Sequence, residues 1–210
     1  TLSNMGCRRF MLICDERSAK SGCLKSLLRR VDKKLNIVAQ YRKVKEKACA
    51  EDCDKALRLY KEKDCDSILA LGDKSAIYVA KAVKIMLKDG VSFMSNYLDC
   101  AVNNISSNSI PLTVVPTYLS SGIEASNIVR VWNEDDKIIQ LDTPFAQTNV
   151  LVLDPSMCTL IGRKRIASTG LNALAMAISS LISRKKVNPM TKVYALDAIT
   201  LTTDNFEQCL

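Results

Sequence analysis

The amino-acid sequence predicts an α/β fold, with a parallel-sheet domain over residues 1–155 and the start of an all-helical domain over residues 156–210. Three observations predict it. Up to residue 155, short apolar runs alternate with amphipathic stretches of ten or more residues, the pattern of a parallel sheet covered by helices on both faces. Beyond Asp154-Pro155 the strand-like runs stop and helical spacing takes over. The composition, 48% hydrophobic and 25% charged across 210 residues, belongs to a chain able to build a core rather than to a disordered one.

Residues 9–14 (RFMLIC) are a short apolar run, read as a buried strand ending at Asp15. Residues 22–33 carry Leu24, Leu27, Leu28 and Val31 at the spacing of an amphipathic helix. A second strand is expected over 35–41 (LNIVAQY). A helix follows over 51–63, with Ala56, Leu57, Leu59 and Tyr60 as its apolar face. Residues 66–71 (DSILAL) make a third strand, which runs through Gly72, Asp73, Lys74 and Ser75 into a helix over 76–88. Residues 110–116 (IPLTVVP) form a fourth. Residues 129–132, 138–141 and 150–153 are further strand candidates. In the remainder, residues 165–183 bring Leu171, Leu174, Ala175, Ile178, Leu181 and Ile182 to one helical face, and residues 192–205 read as a second helix. Two helices are a poor core by themselves. They must pack on the first domain, pair with another chain or continue into further sequence.

The net charge is +8, and Arg29, Arg30, Lys33, Lys34, Arg42, Lys43, Lys45 and Lys47 lie within nineteen residues. Such a cluster can bind a polyanion. Few aromatics interleave with it and no nucleic-acid motif accompanies it, so it reads as a solvated helix face and loop, with no nucleic-acid partner expected. No unbroken apolar run reaches about 18 residues, so no membrane span is expected. Residues 1–9 lack the apolar stretch of a signal peptide. Nine scattered cysteines without a CxxC pair read as the reduced thiols of a cytoplasmic protein. Cys49 and Cys53, four residues apart, read as incidental thiols, because a metal site would need two more ligands nearby. The chain has no histidine, which excludes imidazole, from this chain alone, as a general base or a metal ligand.

Three segments could carry chemistry. In the first, LALGDKSAIYVAKAVK, a strand, a turn at Gly72 and a helix together aim backbone N–H groups at an anion. Ser75 can cap the helix and Lys74 can add a cation, while Asp73 opposes an anion. Spacing alone leaves a capped helix and a phosphate site equally open, and the turn matches neither a Walker loop nor GxGxxG. In the second, Thr117, Tyr118, Ser120 and Ser121 cluster hydroxyls just after a strand. Ligands in open α/β sheets sit there, and a solvated loop is the other reading. In the third, Asn172 and Met176 lie one helical turn apart. A metal-binding helix puts Asp, Glu or His at such positions; Asn is a weak ligand and Met too soft for a hard divalent ion.

In this order the segments resemble the iron-containing (group III) alcohol dehydrogenases. Members read ALGGGSxxDxAK, PTTAGTGSE, DP and TGxDALxHAI; this chain reads ALGDKSAIYVAK, PTYLSSGIE, LDP and TGLNALAMAI. Asn188-Pro189 followed by YALDAITL is similar to the family's NPxTDxxALxAIxL. Glycerol dehydrogenases and dehydroquinate synthases share the fold, and Ser75 favours the alcohol dehydrogenase branch. The resemblance implies a Rossmann-like N-terminal domain, a helical C-terminal domain of the dehydroquinate-synthase-like type, and NAD(H) between them. Asp15 matches the acidic residue that holds the adenosine ribose. Gly72 and Ser75 match the ends of the pyrophosphate turn, with Asp73 and Lys74 between them. Thr117 and Ser121 match hydroxyl positions of the loop lining the cofactor.

The departures fall on the chemistry. Asp73 and Lys74 replace two glycines of the turn, and Tyr78 replaces an Asp. Asn172 and Met176 stand at the first two metal-ligand positions, and the family's other two ligands, both histidines, fall beyond residue 210. No iron or zinc is therefore expected. The metal in this family polarises the substrate oxygen before hydride transfer, and losing such a Lewis acid removes several kcal/mol of transition-state stabilisation. The expectation is a degenerate homologue acting through a protein partner, as a homo-oligomer or with a full-length dehydrogenase subunit. The alternatives are an NAD(H)-dependent oxidoreductase, divergent or completed by a second chain, and a nucleotide-binding sensor without turnover.

Overall fold

The computed structural model describes residues 6–31, 35–97, 110–117, 122–158, 160, 162–183 and 187–209. At its centre is a five-stranded, all-parallel sheet in the order β2-β1-β3-β4-β7, built from β1 (Arg9–Asp15), β2 (Asn36–Val44), β3 (Ser67–Gly72), β4 (Leu112–Pro116) and β7 (Val150–Leu151). The three central strands are buried along almost their whole length. That is why they read as unbroken apolar runs instead of alternating ones. At the edges, β2 is fully buried only at Ala39 and Val44 and carries exposed Arg42 and Lys43, while β7 pairs with β4 at two positions only. Charge and shortness are two ways of blunting a sheet edge.

One face of the sheet carries most of the core. There α3 (Ala50–Glu62) and α4 (Lys74–Asp89) pack against Met11, Ile13, Ile68, Ala70 and Val114. α4 is buried from Ser75 to Met86 and ends where Gly90, in the left-handed region at φ 70°, caps it. On the same side, β5 (Ile128–Trp132) and β6 (Ile138–Asp142) form an antiparallel hairpin outside the main sheet. Its alternate residues Val129, Val131, Ile139 and Leu141 point into the core. The strands read from the sequence are thus correct, but these two belong to a separate ribbon. The polar link at residues 133–137 and the period-two alternation are the signal for it.

The other face is thinner. The short α1 (Glu16–Lys20) and α2 (Cys23–Arg30) cover Phe10, Leu12, Leu69 and Val115. The expected helix over residues 22–33 is α2 alone: Gly22, left-handed at φ 92°, sets its start, and the backbone is extended at Val31. α4 starts two residues earlier than expected because Asp73, not Ser75, is its cap.

After α5 (Pro155–Cys158), α6 (Arg163–Ile182) and α7 (Pro189–Asn205) pack on each other. Gly170 lets the ring of Phe206 approach so closely that a Cβ would lie 2.5 Å from it. The stripe expected to be buried is largely exposed: Leu171, Ile178 and Ile182 face solvent, and Ala177 is the buried residue of α6 among those described. By averaged composition α6 is long and apolar enough to cross a membrane, with mean hydropathy 1.2 over 18 residues. The expectation of no span rested on unbroken apolar runs, and polar residues interrupt every run in this helix.

Candidate functional site

The parallel registers bring three chain positions to one end of the sheet. Cys14 pairs with Leu71, and Gly72 pairs with Pro116. Asp15, the Gly72–Ser75 turn and Thr117 therefore meet at the carboxyl ends of adjacent strands, where open α/β sheets place their ligands. A cleft of 570 Å³ opens there, lined by Asp15, Arg17, Lys45, Glu46, Asp73 and Ser75. A second, of 730 Å³, shares Glu46, Asp73 and Ser75 with it and extends past Tyr78 and Trp132 to α6.

Asp15 is buried and accepts three hydrogen bonds. The backbone N–H of Ser18 donates to one oxygen at 2.8 Å; the Ser18 hydroxyl and the backbone N–H of Asp73 donate to the other, each at 2.9 Å. The first of these caps α1. The last crosses from β1 to the turn after β3, and Gly72 makes room for it. A Cβ on Gly72 would sit 1.8 Å from the Asp15 oxygen, and its φ of 141° is one that side chains rarely adopt.

Asp73 caps α4, its carboxylate accepting the Lys74 N–H at 2.6 Å. Burial raises the Asp73 carboxyl above the ordinary carboxylate value and nearby Asp15 adds to this, while the Lys74 N–H works the other way. Its second oxygen receives the Arg165 guanidinium from α6 at 3.2 Å, and that guanidinium also lies 3.8 Å from Glu46. Lys74 itself is exposed, and Ser75 is buried within the first helical turn. Thr117 is buried, with its hydroxyl 3.0 Å from that of Ser18 and its N–H on the Gly72 carbonyl. Ser121, with Tyr118 and Ser120, lies outside the described residues.

Asn172 and Met176 line the larger cleft opposite Asp73, Lys74 and Tyr78. The Asn172 amide nitrogen lies 3.6 Å from the Met176 sulfur. A carboxamide and a thioether present no anionic oxygen or imidazole to a hard divalent cation, and among the described residues no three His, Cys, Asp or Glu side chains gather as a metal site would require. These donors do not fit iron or zinc. The turn does not fit a pyrophosphate as it stands either, since carboxylates of the chain already hold its Asp73 and Lys74 N–H groups.

The structure thus gathers Asp15, Gly72, Asp73, Ser75 and Thr117 at the strand ends and sets Asn172 and Met176 across from them. Sequence reasoning missed Ser18, Glu46 and Arg165. For Arg165 a signal existed: Arg163, Lys164 and Arg165 crowd the first turn of α6 without an acidic residue. Cations at that end of a helix oppose its dipole, so an acceptor from elsewhere was to be expected. The early basic cluster is partly paired, as Arg30 meets Asp154 and Lys47 meets Asp136.

Residues 1–155 match the family model described as iron-containing alcohol dehydrogenase. The NAD-dependent methanol dehydrogenase of Bacillus methanolicus is 20% identical over 205 residues, 97% of this chain and 52% of that protein. Among solved structures, the alcohol dehydrogenase from Oenococcus oeni superposes with a TM-score of 0.87 at 21% identity, covering 99% of this chain and 54% of that one. The sulfoacetaldehyde reductase from Bifidobacterium kashiwanohense, solved with NAD+, gives 0.84 at 21% identity, covering 96% of this chain and 52% of that one. The chain spans about half the length of the curated relatives it matches.

Proposed function

The chain belongs to the iron-containing alcohol dehydrogenase family, and from that premise we propose that it is a degenerate member: it keeps the fold, does not run metal-dependent alcohol oxidation, and acts by associating with another protein. One observation carries the reading. The helix face that looks into the cleft presents Asn172 and Met176, and neither side chain supplies the charge or the hard donor that a Lewis-acid centre needs. Without such a centre, nothing at this face polarises an alcohol oxygen or stabilises an alkoxide. The loss is worth several kcal/mol, on the order of a 10³-fold rate or more.

Elemental analysis of the purified chain, followed by an NAD+-linked alcohol oxidation assay with added iron or zinc, tests it. The expected result is substoichiometric metal and no turnover above background. Stoichiometric metal with alcohol turnover would refute it.

A second reading, an NAD(H)-dependent oxidoreductase completed by another chain, draws on a methanol dehydrogenase relative named as NAD-dependent and on the clefts at the strand ends. It requires dinucleotide binding, which the first reading does not.

A further inference from the structure

We infer that the anion seat at the start of α4 is filled by the chain's own carboxylates, with Asp73 in the seat and Asp15 behind it, so that the chain in this arrangement takes up no dinucleotide phosphate. The inference deepens the reading of a degenerate member, but it concerns a different part of the cleft from Asn172 and Met176.

The start of a sixteen-residue helix at the carboxyl end of a parallel strand is where unpaired N–H groups and the helix dipole would receive a phosphate. Here two N–H groups at that point already have acceptors. The N–H of Lys74 is held by Asp73 at 2.6 Å and that of Asp73 by Asp15 at 2.9 Å. A phosphate entering the turn would displace both carboxylates or meet their negative charge at close range.

The arrangement is built into the fold at three points. Gly72 leaves the space that the Asp15 oxygen occupies, as a Cβ there would fall 1.8 Å from it. Ser18 fixes the same carboxylate through its N–H and its hydroxyl. Arg165 reaches from α6 to the Asp73 oxygen at 3.2 Å, so a guanidinium positioned to neutralise a phosphate is committed to the internal carboxylate. Asp73 is thus a cap, an internal anion and the near end of a tie across the cleft.

The test compares NADH binding to the wild type, Asp73→Gly and Asp73→Asn, by calorimetry and by quenching of Trp132, which lines the same cleft. Asn is itself a good helix cap, so Asp73→Asn removes the charge while keeping the start of α4, and circular dichroism with melting curves verifies the fold of each variant. We expect no saturable binding by the wild type at submillimolar NADH, saturable binding by Asp73→Gly with an affinity at least about tenfold higher, and an intermediate value for Asp73→Asn. Micromolar binding by the wild type overturns the inference, and so do two folded variants that bind no better than the wild type. Metal content measured on the same samples separates the two proposals: a wild type that binds NADH tightly without metal removes this inference and leaves the metal reading standing.

Discussion

Gly72 and Asp15 are the pair on which the site's geometry turns. The carboxylate crosses from one strand end to the next through the space a side chain would occupy, and the backbone at φ 141° disfavours any other residue. Gly72→Ala must displace the Asp15 carboxylate, free the Asp73 N–H and adopt a strained backbone. Losses of this kind cost about 1–3 kcal/mol each, so we expect Gly72→Ala to lower the unfolding free energy by about 3 kcal/mol in a urea titration and to detach α1 first. An unchanged midpoint would show that the crossing carboxylate is dispensable. At this scale the sequence was legible where chemistry is local. Gly72, Asp73 and Ser75 announce a strand–turn–helix by their order, and Asn172 and Met176 announce the wrong donors by their type. The basic first turn of α6 calls for an acceptor, but which one was not legible, because Asp73 lies 92 residues from Arg165 along the chain; Ser18 is within reach of Asp15 as a local cap, while its contact with the Thr117 hydroxyl, 99 residues away, shows only once the strand ends are brought together.

Among the elements, α4 is the one whose sequence hides its role. Lys81, Lys84 and Lys88 lie on it fully or nearly fully buried, although lysines read as the solvated side of a helix. Each reaches along its aliphatic stem to fasten something. Lys81 donates to the carbonyls of Ile123 and Ser126 at 2.5 and 2.6 Å. Lys84 donates to the Gln147 carbonyl at 2.6 Å and to the Asn149 side chain at 2.9 Å. Lys88 sits 3.7 Å above the Phe145 ring. These contacts pin the turns flanking the β5–β6 hairpin against the central helix. Burial lowers the Lys84 ammonium from 10.5 to about 8. The sign follows from linkage: above pH 8 the folded chain has released this proton while the unfolded chain still holds it, so stability from this residue rises with pH. Integrated from pH 7 to 9, the gain is about 1 kcal/mol. Buried thiols act the other way. Burial holds Cys65 near 11 and Cys14 higher still, so unfolded thiols ionise first as the pH rises. Comparing wild type with Lys84→Met cancels that background. We expect the stability of the wild type relative to Lys84→Met to grow by about 1 kcal/mol between pH 7 and 9, read from paired denaturation curves; a difference independent of pH would mean that Lys84 keeps its proton in the folded protein through pH 9.

For the molecule as a whole, the two ends of the chain obey different rules. The sheet and its helices bury their apolar faces, so alternating runs and amphipathic stretches in the sequence translate directly into layers. α6 and α7 do not. Residues 166–183 contain no charged side chain, and the described residues of both helices leave Leu171, Ile178, Ile182, Tyr194, Leu196 and Leu201 exposed at 43–75%. A helix apolar on several sides belongs in an interior, which explains why periodicity found these helices but could not say what they pack against. Covering each of the six side chains contributes about 1–2 kcal/mol, while association costs about 4–15 kcal/mol in lost translational and rotational freedom. The two totals are comparable, so self-association of the isolated chain follows its concentration. Light scattering behind size exclusion should give 23.2 kDa for the dilute chain and a rising average mass as it is concentrated. Leu196→Lys with Leu201→Lys replaces two of the six exposed apolar side chains with like charges, so it should hold the monomer mass across the same range. Both substituted positions are more than half exposed, so the melting temperature of the sheet layer should stay within about 1–2 °C of the wild type. A wild type that stays monomeric at every concentration would show that this exposed apolar surface does not drive self-association.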